Sequence, residues 1–264
     1  MNMNSTDNHW LQPKTAKAFK DQHKAIPYQE LLEDTIGWCN PRAGERWLDL
    51  GCGAGQLTKG LWAAADGKLA EIVGSDCNPA NEELYLKQAL SPSCPEGARK
   101  FVLCNFSAGL AQFPDNHFDG LVSGLAITYA EHKDPKTGKY TDQAYTHLLS
   151  ELRRVLKPGG RAVVSVNVPE PNFVSIMTKS FGSAFRIRSA GKAFVNGLRM
   201  LWTGRWLRQQ ARIGRFHYYP AEEVARRLEA AGFPAVRHRI SYADQAIILR
   251  ADRDPANSMA PQAA

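Results

Sequence analysis

The sequence predicts an α/β protein with a doubly wound, mostly parallel seven-stranded sheet, a C-terminal antiparallel hairpin and a helical lid insertion. Three observations predict it. Short apolar runs alternate with segments of helical spacing along most of the chain. A glycine turn, "GCGAG" at 51–55, leads from the first apolar run into the next helical segment. Two late strand-like segments flank Ala243-Asp244 and read as a closing hairpin.

Each element has its own signal. Tyr28, Leu31, Leu32, Ile36 and Cys39 recur at helical spacing after Pro27, which predicts a helix over 27–39. "RWLDL" (46–50) is a buried strand ending in glycines, followed by a helix over 56–65. "AEIVGSD" (70–76) is a second strand and 79–90 a second crossover helix. "KFVLCN" (100–105) and "FDGLVSG" (118–124) read as the third and fourth strands. The stripe Tyr145, Leu148, Leu149, Leu152, Val155, Leu156 predicts a helix over 141–156, stopped by "KPGG". "RAVVSVNV" (161–168) is the fifth strand. Pro220 opens a late helix, Glu222 and Glu223 favour its positive end, and Gly232 closes it. "AVRHRISY" and "QAIILRA" form the hairpin.

With 264 residues, 44% hydrophobic, the chain suits one domain carrying an insertion. The expected organisation is a flexible N-terminus (1–14), a single domain (15–252) with a basic lid over 171–219, and a flexible tail (253–264). The net charge of +7 is concentrated. Residues 171–219 hold nine Lys and Arg and no acid, leaving 24 basic against 26 acidic residues outside. The five cysteines, Cys39, Cys52, Cys77, Cys94 and Cys104, are odd in number and widely spaced. They argue against a disulfide framework and a metal site, and for a reducing compartment. No signal peptide and no membrane-spanning apolar run is read, so a soluble, cytoplasmic protein is expected.

The richest motif is "WLDLGCGAGQL". Asp49 ends a strand, and Gly51, Gly53 and Gly55 let the backbone approach a ligand closely. The spacing is G-x-G-x-G with Gln56 next, so the dinucleotide pattern G-x-G-x-x-G fails and a nicotinamide oxidoreductase is disfavoured. Asp76 closes the second strand, where a carboxylate can accept from both hydroxyls of a ribose.

"LDLGCGAGQ", "GSD", "FPDNHFDGLVSG" and "LLSELRRVLKPGGRAVVSV", in this order, resemble class I S-adenosylmethionine-dependent methyltransferases. The nearest flavour is the small-molecule group that includes the ubiquinone/menaquinone C-methyltransferases. The resemblance covers 27–168 and resumes at "YYPAEEVARRLEAAGF". It implies S-adenosylmethionine as cofactor. Asp49, Gly51, Cys52, Gly53 and Gly55 would hold its methionine part, and Asp76, Cys77 and Asn78 its ribose and adenosine. Asn105 and Phe106 would flank the adenine, although Asp is frequent in the family where Asn105 stands. Ser123, Gly124 and Leu125 would line the floor near the sulfonium.

Methyl transfer is an in-line displacement that needs a base only when the acceptor must lose a proton. His217, Tyr218 and Tyr219, and His132 after the fourth strand, are the candidate catalytic residues; Tyr129 and Glu131 are further options. Tyr28 either closes over the cofactor or packs in the core. The expected substrate is a small, partly apolar molecule. Residues 171–215 pose an alternative, a basic and aromatic cover that touches an anionic membrane and serves a lipid or quinone-like substrate. A non-catalytic cofactor-binding module is a third reading. Nucleic acid is disfavoured, because "SGLAITYAEH" after the fourth strand lacks the stretches that base methylation uses. The oligomeric state stays open.

Overall fold

The computed structural model describes Trp10, residues 26–170 and residues 204–255. The first part of the expected lid (171–203) and the tail from 256 lie outside these residues. Within them the order is α1 (Ile26–Cys39), β1 (Arg46–Leu50), α2 (Gln56–Ala64), β2 (Glu71–Asp76), α3 (Ala80–Lys87), β3 (Arg99–Leu103) and β4 (Phe118–Gly124). Then come β5 (His132–Lys133), β6 (Tyr140–Thr141), α4 (Gln143–Val155), β7 (Leu156–Asn167), α5 (Ala221–Ala230), β8 (Ala235–Ser241) and β9 (Ala246–Asp252). A further helix covers 204–212.

The seven-stranded sheet has the order β3-β2-β1-β4-β7-β9-β8. The pairs among β3, β2, β1, β4 and β7 are parallel. The two pairs made by β9 are antiparallel. This is the doubly wound sheet and closing hairpin that the sequence predicts. The chain winds outward from β1 through β2 to β3, then returns to place β4 on the other side of β1. A ligand crevice opens at such a reversal, outside the carboxyl ends of the strands.

Strand alternation divides the core in two. Leu48, Leu50, Leu121, Val164 and Leu249 face α4 and α5, where Leu148, Leu149, Leu152, Val224, Leu228 and Phe233 cover them. Trp47, Ile72, Val122, Val163 and Ile248 face the other way, onto Leu31, Leu57, Leu61 and Trp62 of α1 and α2. Arg161, within β7, pins that strand to the end of α1. Its Nε donates to the Cys39 carbonyl at 2.6 Å and its Nη2 to the Asn40 carbonyl at 2.7 Å. Two contacts to Glu45, at 3.0 and 2.7 Å, complete a bidentate pair. The guanidinium lies 4.8 Å from the Trp47 ring centre.

Three local features differ from expectation. "KPGG" does not separate helix from strand, since β7 begins at Leu156 and runs through it. The irregularity falls in the pairing instead, as a register shift opposite Phe118 and Gly120. Pro158 has no N–H for a regular ladder there. Secondly, the polar run 132–141 folds into the small hairpin β5–β6. It has no apolar alternation to announce a strand, and its turn is built by Asp134, whose oxygens accept from Lys136 N at 2.9 Å and Thr137 Oγ1 at 2.7 Å. Thirdly, the closing turn holds Tyr242, Ala243 and Asp244 at positive φ without a glycine. Beyond the sheet, Arg253 N still donates to the Gly160 carbonyl at 2.8 Å, so hydrogen-bonded structure continues past the boundary expected at 252.

Candidate active site

The crevice is built from the glycine turn upward. Gly51, Gly53 and Gly55 all take positive φ (74°, 50° and 81°). A Cβ on Gly51 would collide with Ala126, so that position admits only glycine, whereas a Cβ on Gly53 would meet nothing within 4 Å. The turn therefore packs against the segment after β4 at one glycine and opens outward at another. Asp49 lies beneath it and is 1% exposed. Its Oδ2 accepts from Thr58 N at 3.0 Å and Thr58 Oγ1 at 2.7 Å. Its Oδ1 is buried without a hydrogen-bond partner among the described residues. Burial raises the Asp49 carboxyl to about 7, against the lowering effect of the Thr58 bonds.

Asp76, at the end of β2, braces the same turn. It accepts from Gly53 N at 3.0 Å through one oxygen and from Asn78 N at 2.8 Å through the other. Asn78 is buried, accepts from Ala80 N at 3.0 Å and donates to the Trp10 carbonyl at 2.9 Å. Trp10, inside the N-terminal stretch expected to be flexible, packs at a 44° tilt with its ring centre 4.3 Å from that of Tyr129.

The ends of β3 and β4 supply the remaining walls. Asn105 is exposed, and its side chain accepts from Ser107 N at 3.2 Å, capping the short turn that carries Phe106. Phe106 reaches to 3.7 Å from where a Gly51 Cβ would stand. The Ser123 hydroxyl is fully buried and donates to the Leu50 carbonyl at 2.7 Å, so it ties β4 to β1 and lines the floor only with backbone. A Cβ on Gly124 would press on Leu57, and Leu125, at φ 53°, donates to the Ser165 carbonyl at 3.0 Å. Cys52 and Cys104 are buried free thiols, and Cys77 is half-buried. Burial pushes all three thiols up, Cys77 to about 12, which keeps them protonated and unreactive.

The candidate bases fare differently. His217 is 3% exposed. Its Nε2 donates to the Ala130 carbonyl at 2.9 Å, and its backbone N donates to the Thr128 carbonyl at 2.9 Å. Burial lowers its imidazole, so the ring is neutral. His217 thus braces the returning chain to the segment after β4, and it also lines the groove beside it, with Nδ1 3.4 Å from Tyr219 Oη. His132 belongs to β5, where Thr141 Oγ1 holds Nδ1 at 2.8 Å. Glu131 is closed off by a buried ion pair with Arg215. Tyr28 packs edge-on against Tyr242 at 6.1 Å. Tyr218 and Tyr129 approach through their hydroxyls at 3.3 Å, and Asn167 Nδ2 donates to Tyr129 Oη at 3.3 Å. Burial raises both phenols. Thr58, Asn167 and Trp10 were not singled out in the sequence. Thr58, a hydroxyl one turn into the helix after the glycines, was the one with a legible signal.

A groove of about 510 Å³ lies beside this cluster. Its lining includes Tyr140, Asp142, Arg208, Arg212, His217, Tyr218 and Tyr219, with Pro169 and Glu170 coming from the segment just after β7.

A glycine turn at the switch point of a doubly wound sheet, flanked by Asp49 and Asp76, defines a nucleoside-binding protein of the class I methyltransferase type. Residues 22–238 match the family model described as a methyltransferase domain, and the chain belongs to that family. The class I resemblance read from the sequence therefore stands. The chain is 33% identical over 135 residues to the ubiquinone/menaquinone biosynthesis C-methyltransferase UbiE of Burkholderia mallei, and equally so to that of Burkholderia thailandensis. That alignment covers 49% of this chain and 46% of the relative, so the match spans less than half of the relatives' length. Among solved structures, a putative S-adenosyl-L-methionine-dependent methyltransferase from Methanococcus maripaludis superposes with a TM-score of 0.59 at 16% identity, over 98% of this chain and 100% of that one. The magnesium protoporphyrin IX methyltransferase of Synechocystis gives 0.53 at 15% identity, over 87% and 84%.

Proposed function

We propose that this chain transfers a methyl group from S-adenosylmethionine to a small, partly apolar molecule. The observation that carries the reading is Asp49: a carboxylate buried under the glycine turn with one oxygen satisfied by Thr58 and the other without a partner. An unpartnered buried oxygen costs stability unless a ligand supplies a donor. A cationic, hydrogen-donating ligand fits it. The open space over Gly53, the Phe106 ring and the second lone pairs of the Asp76 oxygens fit the rest of such a nucleoside. When bound, the cofactor supplies an electrophilic methyl on a cationic sulfur. The chain then has to hold an acceptor in line with it and exclude water.

Calorimetry tests the reading. The expected result is binding of S-adenosylhomocysteine and S-adenosylmethionine, and not of NAD; binding of NAD alone overturns it. Asp76→Ala is expected to weaken S-adenosylhomocysteine binding at least tenfold with the fold retained. Unchanged affinity would remove Asp76 from the ribose role.

The name of the Burkholderia relatives favours a second reading, a quinone-like or lipid acceptor met at a membrane surface. Among the described residues no helix is long and apolar enough to cross a membrane. Arg205, Arg208, Arg212 and Ile213 are exposed described residues that could touch one. Vesicles of anionic phospholipid should then sediment the protein at low salt and release it at high salt. No sedimentation at low salt discards this reading.

A further inference from the structure

Arg205, Arg208, Arg212 and Arg215 recur at helical spacing near the end of the insertion, but they do not act as one surface. Arg215 turns inward to Glu131 and lies 5.4 Å from the Tyr140 ring and 5.5 Å from the Phe216 ring. Arg205, Arg208 and Arg212 are all exposed, and Arg205 is not in the groove lining. Arg208 and Arg212, one turn apart on the helix over 204–212, both line the groove, and neither makes an ion pair with a described residue. Asp142, also in the lining, is engaged by Arg227 at 2.9 Å. Glu170, exposed at the rim, is the one acidic lining residue without a described partner. The lining therefore offers two guanidinium groups against one open carboxylate, next to the rings of Tyr140, Phe216, Tyr218 and Tyr219.

Resting on the methyl-transfer reading, we propose that this groove binds the acceptor and that the acceptor is an aromatic carboxylate, its ring against Tyr218 and Tyr219 and its carboxylate on Arg208 and Arg212. Guanidinium groups suit this task because they match a carboxylate with paired donors and also stack on rings. The volume of about 510 Å³ lies in the range of small-molecule sites. A concave wall argues for a free acid, since a membrane plane would meet a convex helix face.

The tyrosine pair links the groove to the crevice. Tyr129 follows β4, four residues after Leu125, and its oxygen accepts from Asn167 at 3.3 Å. Tyr129 Oη and Tyr218 Oη lie 3.3 Å apart, and either hydroxyl can donate in that contact. Tyr218, which lines the groove, is thereby held in place beside any ligand there, and burial raises its phenol.

The probes are 2-naphthoate and 2-naphthamide, which share shape and differ in charge, titrated by calorimetry with and without S-adenosylhomocysteine. Wild type should bind the acid at least tenfold more tightly than the amide. The double variant Arg208→Gln/Arg212→Gln should abolish that preference while S-adenosylhomocysteine affinity and thermal unfolding stay unchanged. Equal binding of acid and amide, no binding of either at millimolar levels, or a preference that survives the double substitution overturns the proposal. So does a double variant that keeps the acid preference and loses only vesicle sedimentation, which would assign these arginines to a membrane. Failure of S-adenosylhomocysteine to bind is a separate result, and it falls on the methyl-transfer reading.

Discussion

Arg161→Met is expected to destabilise the fold by about 3–5 kcal/mol, the range found when one partner of a buried ion pair is removed. Arg161 is 8% exposed and serves four acceptors at once: Glu45 through both oxygens, and the carbonyls of Cys39 and Asn40. Methionine fills the space over Trp47 and satisfies none of them. Burial alone would raise Glu45, but hydrogen bonds from Arg161, Arg42 N and Trp47 Nε1 outweigh it and leave the carboxyl lowered. A lowered carboxylate contributes stability above its unfolded pKa and loses it as pH falls through the folded one. Urea unfolding at pH 7 and pH 4 checks both parts. The difference between wild type and variant should be large at pH 7 and shrink toward pH 4. Adding Glu45→Gln should recover part of the loss, because the charge left alone is removed. A variant within ~0.5 kcal/mol of wild type at pH 7 would show that the pair is not structural.

Asp49→Asn should move stability and binding in opposite directions. In the free protein burial holds the Asp49 carboxyl up to about 7. A carboxyl raised on folding costs stability as pH climbs from the unfolded carboxylate range to that value, and the full cost stays above it. The neutral amide avoids this charge and its carbonyl oxygen still accepts from Thr58. The variant should therefore melt several degrees higher at pH 8 and close to wild type at pH 4, each kcal/mol counting for ~2–4 °C in a chain of this size. S-adenosylhomocysteine binding at pH 8 should weaken at least tenfold, because the oxygen facing the ligand's cation becomes an amide donor. Wild-type affinity should also fall below pH 7, as the carboxyl takes up a proton, and the variant should lack this dependence. Unchanged affinity together with unchanged melting would remove Asp49 from the site.

Much of the cofactor crevice was legible before any fold was known. Its glycines, Asp49 and Asp76 sit at strand ends, and strands with their glycine turns are local patterns. The substrate side was not. His217 has the residue type of a base, yet its role depends on the Ala130 and Thr128 carbonyls, far away in sequence and adjacent only after folding. Glu131 reads as an available carboxylate until Arg215 is seen beside it. The stripe of arginines at helical spacing is real in sequence, but which of them faces solvent, a partner or a groove is settled by what packs against the helix.

The sequence by itself determined the order of strands and crossovers, the turn that glycine alone can make at Gly51, and the family to which these belong. Those follow from local forces: apolar periodicity, backbone φ limits and chain connectivity. Only the tertiary structure decided that β7 runs through "KPGG", that Arg161 locks α1 to the sheet, that His217 bonds the Ala130 and Thr128 carbonyls, and that Arg208 and Arg212 share a groove with Tyr218 and Tyr219. The physical reason is burial. The partner of a polar group withdrawn from water comes from whichever distant segment the packed core brings to it, and no local pattern encodes that choice.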